Sequence, residues 1–455
     1  MQGRNMFDSN IRSVISFREI GRGFSALETF ARCMNLHCLS VNGFLDIQNK
    51  VSNAYESAAY DKMKKASDEK QNGVPGKPTH KRVTIDGTWQ KRGHSSLNGV
   101  VTAVIGDKCV DVQTFSKHCK SCQVWEKRKG TSANETWFGN HQCHISHRNS
   151  SGSIESAGAV EIFRRSISER NLIYHEYLGN GDTNSFKNVV LDNPYKDFNI
   201  VPIKLECVGH VKKRLGNRLR NIVKSYKGTK TPLARNGRLT DKTISTTQSY
   251  YDMAIRKNKG ALYATKKEVS ILLHFTDFED PSYRHQFCPR TPDTLCNWHL
   301  DQINKTNKYK PTASMPMWIH HIILPIFKEL QSDQLLNKCL HGETQNANES
   351  LNSIIWTMIP KNVFVSRQTL EMGVSSAVLQ FNEGCTDITN VFKAFGLLGK
   401  FTLKKSVKQD VSRVRRMLRK DLIEIKNQQK RLRRIHKGTL DKEEQMNSYI
   451  PGEFI

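Results

Sequence analysis

Residues 82–115 follow the alternation of apolar and polar positions that is typical of β-strands. Residues 82–89 (RVTIDGTW) and 109–115 (CVDVQTF) alternate, and residues 99–105 (GVVTAVI) form a continuous apolar run. Gly106-Asp107-Lys108, between the second and third runs, is a hairpin turn signal. The pattern therefore predicts a meander of three strands.

Helical spacing of apolar residues begins after this meander. Residues 154–170 carry apolar side chains near helical spacing, and short strands and helices alternate after them. The predicted strands are 172–178 and 200–206, and the predicted helices are 24–34, 46–70, 154–170, 184–191, 208–226, 249–256, 266–274, 346–358, 370–381, 388–397 and 403–437. Because strands come early and helices late, we expect an α/β fold with one mixed sheet and an inserted helical region.

Composition shifts divide the chain into five predicted segments. Residues 71–80 (QNGVPGKPTH) contain two glycines and two prolines, which indicates a linker. The predicted segments are an N-terminal mixed and helical segment (1–80), the first part of the core (81–226) with an embedded loop (117–150), a helical insertion (227–340), the second part of the core (341–400), and a basic C-terminal helix and tail (401–455).

The charge balance of the chain is strongly basic. The 455 residues include 70 Lys and Arg against 43 Asp and Glu, which gives a formal net charge of +27. A large anionic partner is therefore expected. No stretch approaches the roughly 18 apolar residues of a membrane span, and residues 1–10 lack an apolar signal region. Membrane insertion and secretion are therefore not expected.

Three carboxylates stand where the predicted chain direction changes. Asp86 lies within the first predicted strand, Asp182 follows the strand that ends at residue 178, and Glu349 opens a helix. Each has an ordinary structural interpretation: Asp86 as a hydrogen-bonded strand residue, Asp182 as a helix N-cap, and Glu349 as a first-turn charge. Together, three carboxylates could bind two divalent cations that act on a phosphodiester.

Six segments of the sequence closely resemble the Mutator-like transposase domain found in many arthropod genomes. They are VTIDGTWQKRGHSSLNG (83–99), SGSIESAGAVEIFRRSI (151–167), EYLGNGDTNSF (176–186), IKLECVGHVKKRLGNRLR (203–220), GRLTD (237–241) and KCLHGETQNANESLNSIIW (338–356). They occur in the family's order, and the resemblance spans roughly residues 10–385. Asn180 stands where many relatives have Asp, but the second acid of that turn is present as Asp182.

The resemblance implies an RNase H-like fold with a helical insertion before the last catalytic residue. It implies a DDE-type site of Asp86, Asp182 and Glu349 that would hold Mg²⁺ or Mn²⁺ and cut and join DNA. The family's Cys-x-x-His motif is matched by Cys207 and His210, which we interpret as residues that position the site or the DNA. The alternative for Cys207 is a core thiol. The expected partners are transposon ends and target DNA, and the expected location is the nucleus.

Two sets of cysteines and histidines have spacings that suit zinc. The chain has 11 cysteines, which without a signal region are expected to be reduced thiols or metal ligands. The first set is Cys119, Cys122, His141 and Cys143, with His118, His144 and His147 as competing ligands, and the second is His285, Cys288, Cys296 and His299. Each set could hold one structural Zn²⁺. The alternatives are unligated thiols in a loop for the first set and packing roles for the second.

Basic residues concentrate on two predicted helices. They are Lys212, Lys213, Arg214, Arg218 and Arg220 on one helix, and Arg413, Arg415, Arg416, Arg419, Lys420, Lys430, Arg431, Arg433 and Arg434 on the last helix. We interpret both groups as phosphate contacts. The alternatives are a solvated face and, for the last helix, nuclear import or a coiled-coil arm. The apolar residues Val411, Val414, Leu418, Leu422 and Ile425 recur there at helical spacing, which favours a homodimer through this helix.

The sequence leaves two functions open. One is a Mutator-like DDE transposase, and the other is a catalytically silent or co-opted derivative that binds DNA and contains zinc. The intact set of three acids favours the enzyme. The roughly 80 residues before Asp86 show no zinc-finger spacing, which favours the derivative.

Overall fold

Most of the chain has a described structure. The computed structural model describes residues 7–71, 77–91, 95–127, 129–179, 183–235, 237–270, 276–277, 279–288, 290, 294, 296–305, 309, 315–397, 403–416 and 419. Of the last predicted helix, residues 403–416 are helical. Asp182, Leu418 and residues 420–455 lie outside the described residues, and with them several predicted basic and apolar positions.

The chain divides into two compact units. The first comprises Met1–Leu205 and Gln345–Asp410, and the second comprises Glu206–Thr344 and Val411–Ile455. Asp86 and Glu349 both belong to the first unit, although they lie far apart in the sequence. The helical insertion predicted at 227–340 lies within the second unit.

One five-stranded mixed sheet has β1 at its centre. Its strands are β1 (Thr79–Trp89), β2 (Asn98–Ile105), β3 (Lys108–Ser116), β4 (Leu172–Gly179) and β5 (Ile203–Glu206), in the order β3-β2-β1-β4-β5. β2 pairs antiparallel with β1 and with β3, so the predicted meander is confirmed, and β4 pairs parallel with β1. β5 begins later than the predicted residue 200, because Pro202 has no N–H to donate to a strand ladder.

Helices account for most of the remaining described residues. They are α1 (Asp8–Glu19), α2 (Phe24–Cys33), α3 (Val41–Glu69), α4 (Lys120–Glu126), α5 (Ser132–Asn140), α6 (Ile154–Arg170), α7 (Thr183–Asp192), α8 (Val208–Ser225), α9 (Asp241–Lys257), α10 (Leu262–Val269), α11 (Pro281–Arg284), α12 (Asn297–Asn304), α13 (Met317–Leu330), α14 (Asp333–Asn337), α15 (Asn346–Met358), α16 (Arg367–Glu383) and α17 (Ile388–Ala394).

Local chemistry sets the ends of the helices. α6 has the predicted bounds, and it ends where Asn171 adopts a left-handed conformation with φ +53°. α3 begins before the predicted residue 46, because the Ser40 hydroxyl accepts a hydrogen bond from the Gly43 N–H and so caps the helix.

Helices cover both faces of the sheet. On one face, Val100 and Val104 of β2 pack with residues of α3, α15 and α16. On the other face, Val83 and Ile85 of β1 pack against α6, where Phe163 is fully buried. Because side chains alternate along a strand, Asp86 points away from α6, toward the α15 face. The first unit is therefore a three-layer α/β/α structure with Asp86 in its middle layer.

The second unit is helical in its described residues, apart from an isolated bridge between Thr276 and Met315. The apolar residues Val211, Leu215 and Leu219 of α8 are buried in a cluster with residues of α9 and α13. The sequence grouped α8 with the first part of the core. The structure instead packs α8 with the insertion, because its apolar stripe faces the apolar sides of these two helices. Among the described helices, none is long and apolar enough to cross a bilayer.

Candidate active site and metal sites

Asp86 is a buried carboxylate on the central strand. Asp86 is 9 % exposed, and it pairs with Thr102 of β2. On the other side of β1, Leu178 near the end of β4 pairs with Thr84. A buried carboxylate is costly unless it accepts hydrogen bonds. Here the Asn352 side chain donates from Nδ2 to Asp86 Oδ2 at 2.7 Å.

This hydrogen bond is one of several that fix α15 along β1. Polar side chains four residues apart on the helix bond to residues two apart on the strand. The bonds are Asn348 Nδ2 to Thr84 O (3.1 Å), Asn352 Nδ2 to Asp86 Oδ2 (2.7 Å) and Trp356 Nε1 to Thr88 Oγ1 (2.7 Å). Four helical residues rise about 6 Å, and two strand residues span about 6.6 Å. Because these two distances nearly match, α15 can run along β1 and form all three hydrogen bonds.

Glu349 lies in the first turn of α15 and is exposed. It precedes Asn352 by three residues, so the two β-carbons are about 5–6 Å apart on neighbouring positions of one helix surface. Asn352 in turn contacts Asp86. Glu349 and Asn352 are thus neighbours on the surface of α15, and a role for Glu349 in the site stays a prediction. Asp182 lies between the end of β4 and the start of α7, outside the described residues.

Sequence reasoning missed the polar side chains that hold Asp86. Of the apolar residues of α15, Leu351 and Ile355 are fully buried and Ile354 is half-buried. Asn348 and Asn352 are also buried, with 0 % and 8 % exposure. The signal was present, because these two asparagines stand beside the apolar residues at helical spacing. Buried polar groups are normally hydrogen-bonded, so asparagines on the buried side of a helix are expected to have partners on the strand that the helix covers.

The first predicted zinc set converges in the structure. Ligand atoms of Cys119, Cys122, His141 and Cys143 all lie within 4.8 Å of one another. His141 Nε2 is 3.3 Å from the Sγ atoms of Cys119 and Cys122, and Cys122 Sγ is 3.5 Å from Cys143 Sγ. With Zn–S of about 2.3 Å and Zn–N of about 2.0–2.1 Å, neighbouring ligands of a tetrahedron lie about 3.5–3.8 Å apart. The donor set and its spacing therefore suit a tetrahedral metal ion.

Two of the three competing histidines make other contacts. His147 Nε2 lies 3.0 Å from Ser150 O and 2.9 Å from Ser153 Oγ, and His118 Nε2 lies 3.1 Å from Gln123 Oε1. Of the histidines in this loop, the structure therefore brings His141 to the sulfurs.

One thiol of this set is already acidic. Burial acts to raise the pKa of Cys119, but hydrogen bonds from the backbone of His144 and Cys122 and from neighbouring side chains outweigh it and lower the pKa to about 6. Burial, together with hydrogen bonds to Cys143 and Cys119, raises the pKa of Cys122 to about 12. One thiolate near neutral pH is a good first ligand for a cation.

The second predicted set converges only in part. Ligand atoms of His285, Cys288 and Cys296 lie within 4.8 Å of one another. His299 is not in this group. Its Nε2 instead lies 3.0 Å from the backbone O of His285, as part of the loop's own hydrogen bonding.

The predicted DNA-binding residues of α8 lie among acidic side chains. The ion pairs there are Lys212 with Asp252 (3.6 Å), Arg214 with Glu206 (3.1 Å), Arg218 with Glu329 (2.5 Å) and Arg220 with Asp241 (2.8 Å). Lys213, on the same helix, is exposed. The basic pattern of α8 does not show these pairs, because the acids lie on other elements, Glu206 on β5, Asp241 and Asp252 on α9, and Glu329 on α13. Arg415, Arg416 and Arg419 of the last helix are exposed.

Cys207 and His210 lie at the start of α8 in the second unit. Cys207 is the N-cap residue and is 2 % exposed, and His210 is half-buried in the first turn. The Cys207 Sγ would lie 3.7 Å from a β-carbon added at Gly209, so the thiol packs against the helix start. The two residues thus lie at the end of a strand and the start of a helix, as predicted. Their role in the site stays a prediction.

Comparison with known proteins identifies the family of the chain. No curated protein matches it. A family model described as Mutator-like transposase matches residues 1–296, which is well over half of the 455 residues. The match includes the positions of Asp86 and Asp182 and the first zinc set, and it ends before Glu349. The chain therefore belongs to the Mutator-like transposase family.

Proposed function

We propose that the chain is a DDE-type transposase that cuts and joins DNA with an RNase H-like catalytic unit. The observation that carries the proposal is the buried Asp86 on the central strand, held by a helix that also presents Glu349. The strand order supports it as well, because an antiparallel meander followed by a parallel strand beside β1 is how RNase H-like sheets are built. The expected place of action is the nucleus, as a homodimer, since two transposon ends must be cut.

The donor set suits the divalent cations of such enzymes. Asp86, Asp182 and Glu349 offer only carboxylate oxygens, the ligands that Mg²⁺ and Mn²⁺ prefer. We assign these three residues to hold the cations. When bound, divalent cations make water or a hydroxyl a better nucleophile and stabilise the charge on the leaving oxygen.

The chain's own residues would orient this chemistry. Asn352 fixes one oxygen of Asp86, so the carboxylate presents a defined edge at the sheet surface. Water would attack a phosphorus at the transposon end and lose its proton, while the P–O3′ bond breaks and O3′ gains a proton. The freed 3′-hydroxyl would then attack a phosphorus of target DNA in the same way.

A structural Zn²⁺ bound by Cys119, Cys122, His141 and Cys143 completes the proposal. Neither α4 nor α5, which the loop contains, has a buried residue. Trp137 stacks on His141 with ring centroids 4.2 Å apart and on Trp125 at 5.0 Å. With so little apolar burial, metal ligation is the strongest interaction open to this loop.

A strand-transfer assay tests the proposal. The purified chain is incubated with Mg²⁺ and a plasmid that carries the element's own terminal repeats, in parallel with Asp182→Asn and with the control Asp197→Asn, an exposed carboxylate beyond α7. We expect the wild type and the control to cut and join DNA and Asp182→Asn to do neither. Without divalent cations, Asp182→Asn should bind DNA as well as the wild type or slightly better, because a negative charge near phosphate is removed.

Two outcomes would contradict this assignment. Normal cleavage by Asp182→Asn would show that this carboxylate is not part of the site. A wild type that binds the plasmid but never cleaves it would favour the alternative, a silent derivative that only binds DNA.

A further inference from the structure

A second group of buried metal-ligating side chains lies in the second unit, near α11 and α12. His285 is 1 %, Cys288 4 % and Cys296 1 % exposed. His285 and Cys288 follow the short helix α11, and Cys296 immediately precedes α12. Two thiols and an imidazole are thus brought together from the two ends of one loop.

The geometry of the three ligand atoms suits a metal ion. His285 Nδ1 lies 3.4 Å from Cys296 Sγ and 3.7 Å from Cys288 Sγ. These separations are close to the about 3.5–3.8 Å expected between neighbouring ligands of tetrahedral zinc. They also resemble the separations in the Cys119 set, which reach 3.5 Å.

Neighbouring side chains fix the orientation of His285. Its other nitrogen, Nε2, lies 3.0 Å from the Tyr309 hydroxyl, and its ring stacks on Trp298 at 5.4 Å between centroids with planes 12° apart. A metal-binding histidine normally has its second nitrogen engaged in this way, because the bond holds the proton there and aims the other lone pair at the metal. The imidazole is therefore oriented with Nδ1 toward the two sulfurs.

His299 has a different role from the one its spacing indicated. Its Nε2 is bonded to the backbone O of His285 at 3.0 Å, and the residue is 5 % exposed. The bond ties the start of α12 back to the residue that carries the ligand nitrogen. His299 therefore positions the loop and does not contribute that nitrogen to the group.

Among the described residues, the apolar cluster at this loop is small. The local cluster consists of the buried Cys288 and Cys296 with the half-buried Tyr250 and Trp298, and it is separate from the core of α8, α9 and α13. α11 has only four residues and α12 eight. A small cluster of described apolar residues adds little stability to two short helices, and a structural metal is a common further source of it.

We propose that His285, Cys288 and Cys296 bind one Zn²⁺ that fastens the loop between α11 and α12 to α9 through Tyr250. The site is independent of the Cys119 set and of the carboxylates. It rests on the geometry of the second unit alone, so it can hold whether or not the chain cleaves DNA.

Metal content of the full-length protein tests the site. Zinc is measured after purification for the wild type, for Cys288→Ser/Cys296→Ser, and for the control Cys339→Ala, which removes another buried thiol of the second unit. We expect the double variant to contain one zinc per chain less than the wild type and the control to match the wild type. Equal zinc in the double variant and the wild type would overturn the proposal.

If Cys288→Ser/Cys296→Ser fails to fold, cobalt binding tests the site instead. In a Cys119→Ser/Cys122→Ser background, Co²⁺ is added and thiolate-to-cobalt charge-transfer absorption is recorded. We expect the absorption in this background and in its His299→Gln derivative, and its loss in the His285→Gln derivative. No such absorption in the background, or its loss with His299→Gln but not with His285→Gln, would overturn the site or its ligand set.

Discussion

Asn352 on α15 donates a 2.7 Å hydrogen bond to the carboxylate of Asp86 at the centre of the sheet. The two residues are 266 positions apart in the chain, and the larger part of the second unit, Glu206–Thr344, lies between them in the sequence. The bond therefore joins the early and late parts of the first unit at the residue that we propose as the first acid of the site. An asparagine here satisfies the buried acid without adding a positive charge that would compete with a cation.

Replacing Asn352 by Ala is expected to slow DNA cleavage about 10- to 100-fold, the range typical for residues that orient a metal ligand. DNA affinity measured without divalent cations should stay unchanged, because Asn352 binds Asp86 and not phosphate. The rate should recover in part at higher Mg²⁺ concentration, since a less ordered Asp86 weakens cation binding. The matched control is Ser353→Ala, an exposed position on the same helix.

Two results would argue against this positioning role. A loss of cleavage that no Mg²⁺ concentration relieves, together with a lower urea midpoint, would indicate that Asn352 only stabilises the fold. Equal effects of Asn352→Ala and Ser353→Ala would remove any special role for the hydrogen bond to Asp86.

The sequence predicted those parts of the fold that depend on local pattern. The meander and α6 follow from alternation and from helical spacing, and residues 154–170 match the helix bounds. The convergence of Cys119, Cys122, His141 and Cys143 followed from spacing, because pairs of ligands close in sequence need only one loop to meet.

Long-range partners could not be predicted from the sequence. The sequence predicts that Arg218 binds phosphate, but in the structure Arg218 forms an ion pair with Glu329, which lies far along the chain. In the same way, the spacing of His299 resembles that of a ligand, but folding of the loop directs its Nε2 to a backbone oxygen. Such contacts depend on how distant elements pack, and a single sequence does not contain that information.

If the Cys119 set holds zinc as proposed, removal of the metal is expected to unfold the loop of residues 117–150 without unfolding the sheet. α4 and α5 bury no residue, so little apolar free energy holds them once the ligands are unpaired. Hydrogen exchange with and without a chelator checks this. Amides of α5 should lose protection, and those of α6, packed on the sheet, should keep it. Unchanged protection of α5 after zinc loss would show that the loop folds without the metal.

Glu19 should make the stability of the first unit depend on pH. Burial raises the pKa of Glu19 above its ordinary value, against the opposing effect of hydrogen bonds from Ser376 and Tyr55. A raised pKa means that the folded state favours the neutral acid. Its stabilising contribution is therefore full below the ordinary value of 4.5 and is lost as pH rises through the raised pKa.

The variant Glu19→Gln tests this sign. Glutamine keeps the size and the hydrogen-bonding capacity of the neutral acid, so the variant should gain stability relative to the wild type as the solution changes from mildly acidic to neutral pH. Urea midpoints at several pH values measure the difference. Glu28→Gln, an exposed carboxylate on α2, is the control and should show no such trend. A constant difference between Glu19→Gln and the wild type across this range would contradict the assignment.

The salt dependence of DNA binding should separate the two basic groups. Arg415, Arg416 and Arg419 are exposed on the last helix, whereas Arg218 makes two hydrogen bonds to Glu329, at 2.5 and 2.8 Å. Changing the three exposed arginines to Gln should weaken binding and make the slope of log K against log salt shallower by up to about 0.9 for each phosphate that the protein no longer neutralises. Arg218→Gln should change the slope little, because its charge already has an acidic partner. A shallower slope for Arg218→Gln and an unchanged slope for the triple variant would instead place the DNA on α8, with its ion pairs exchanged for phosphates.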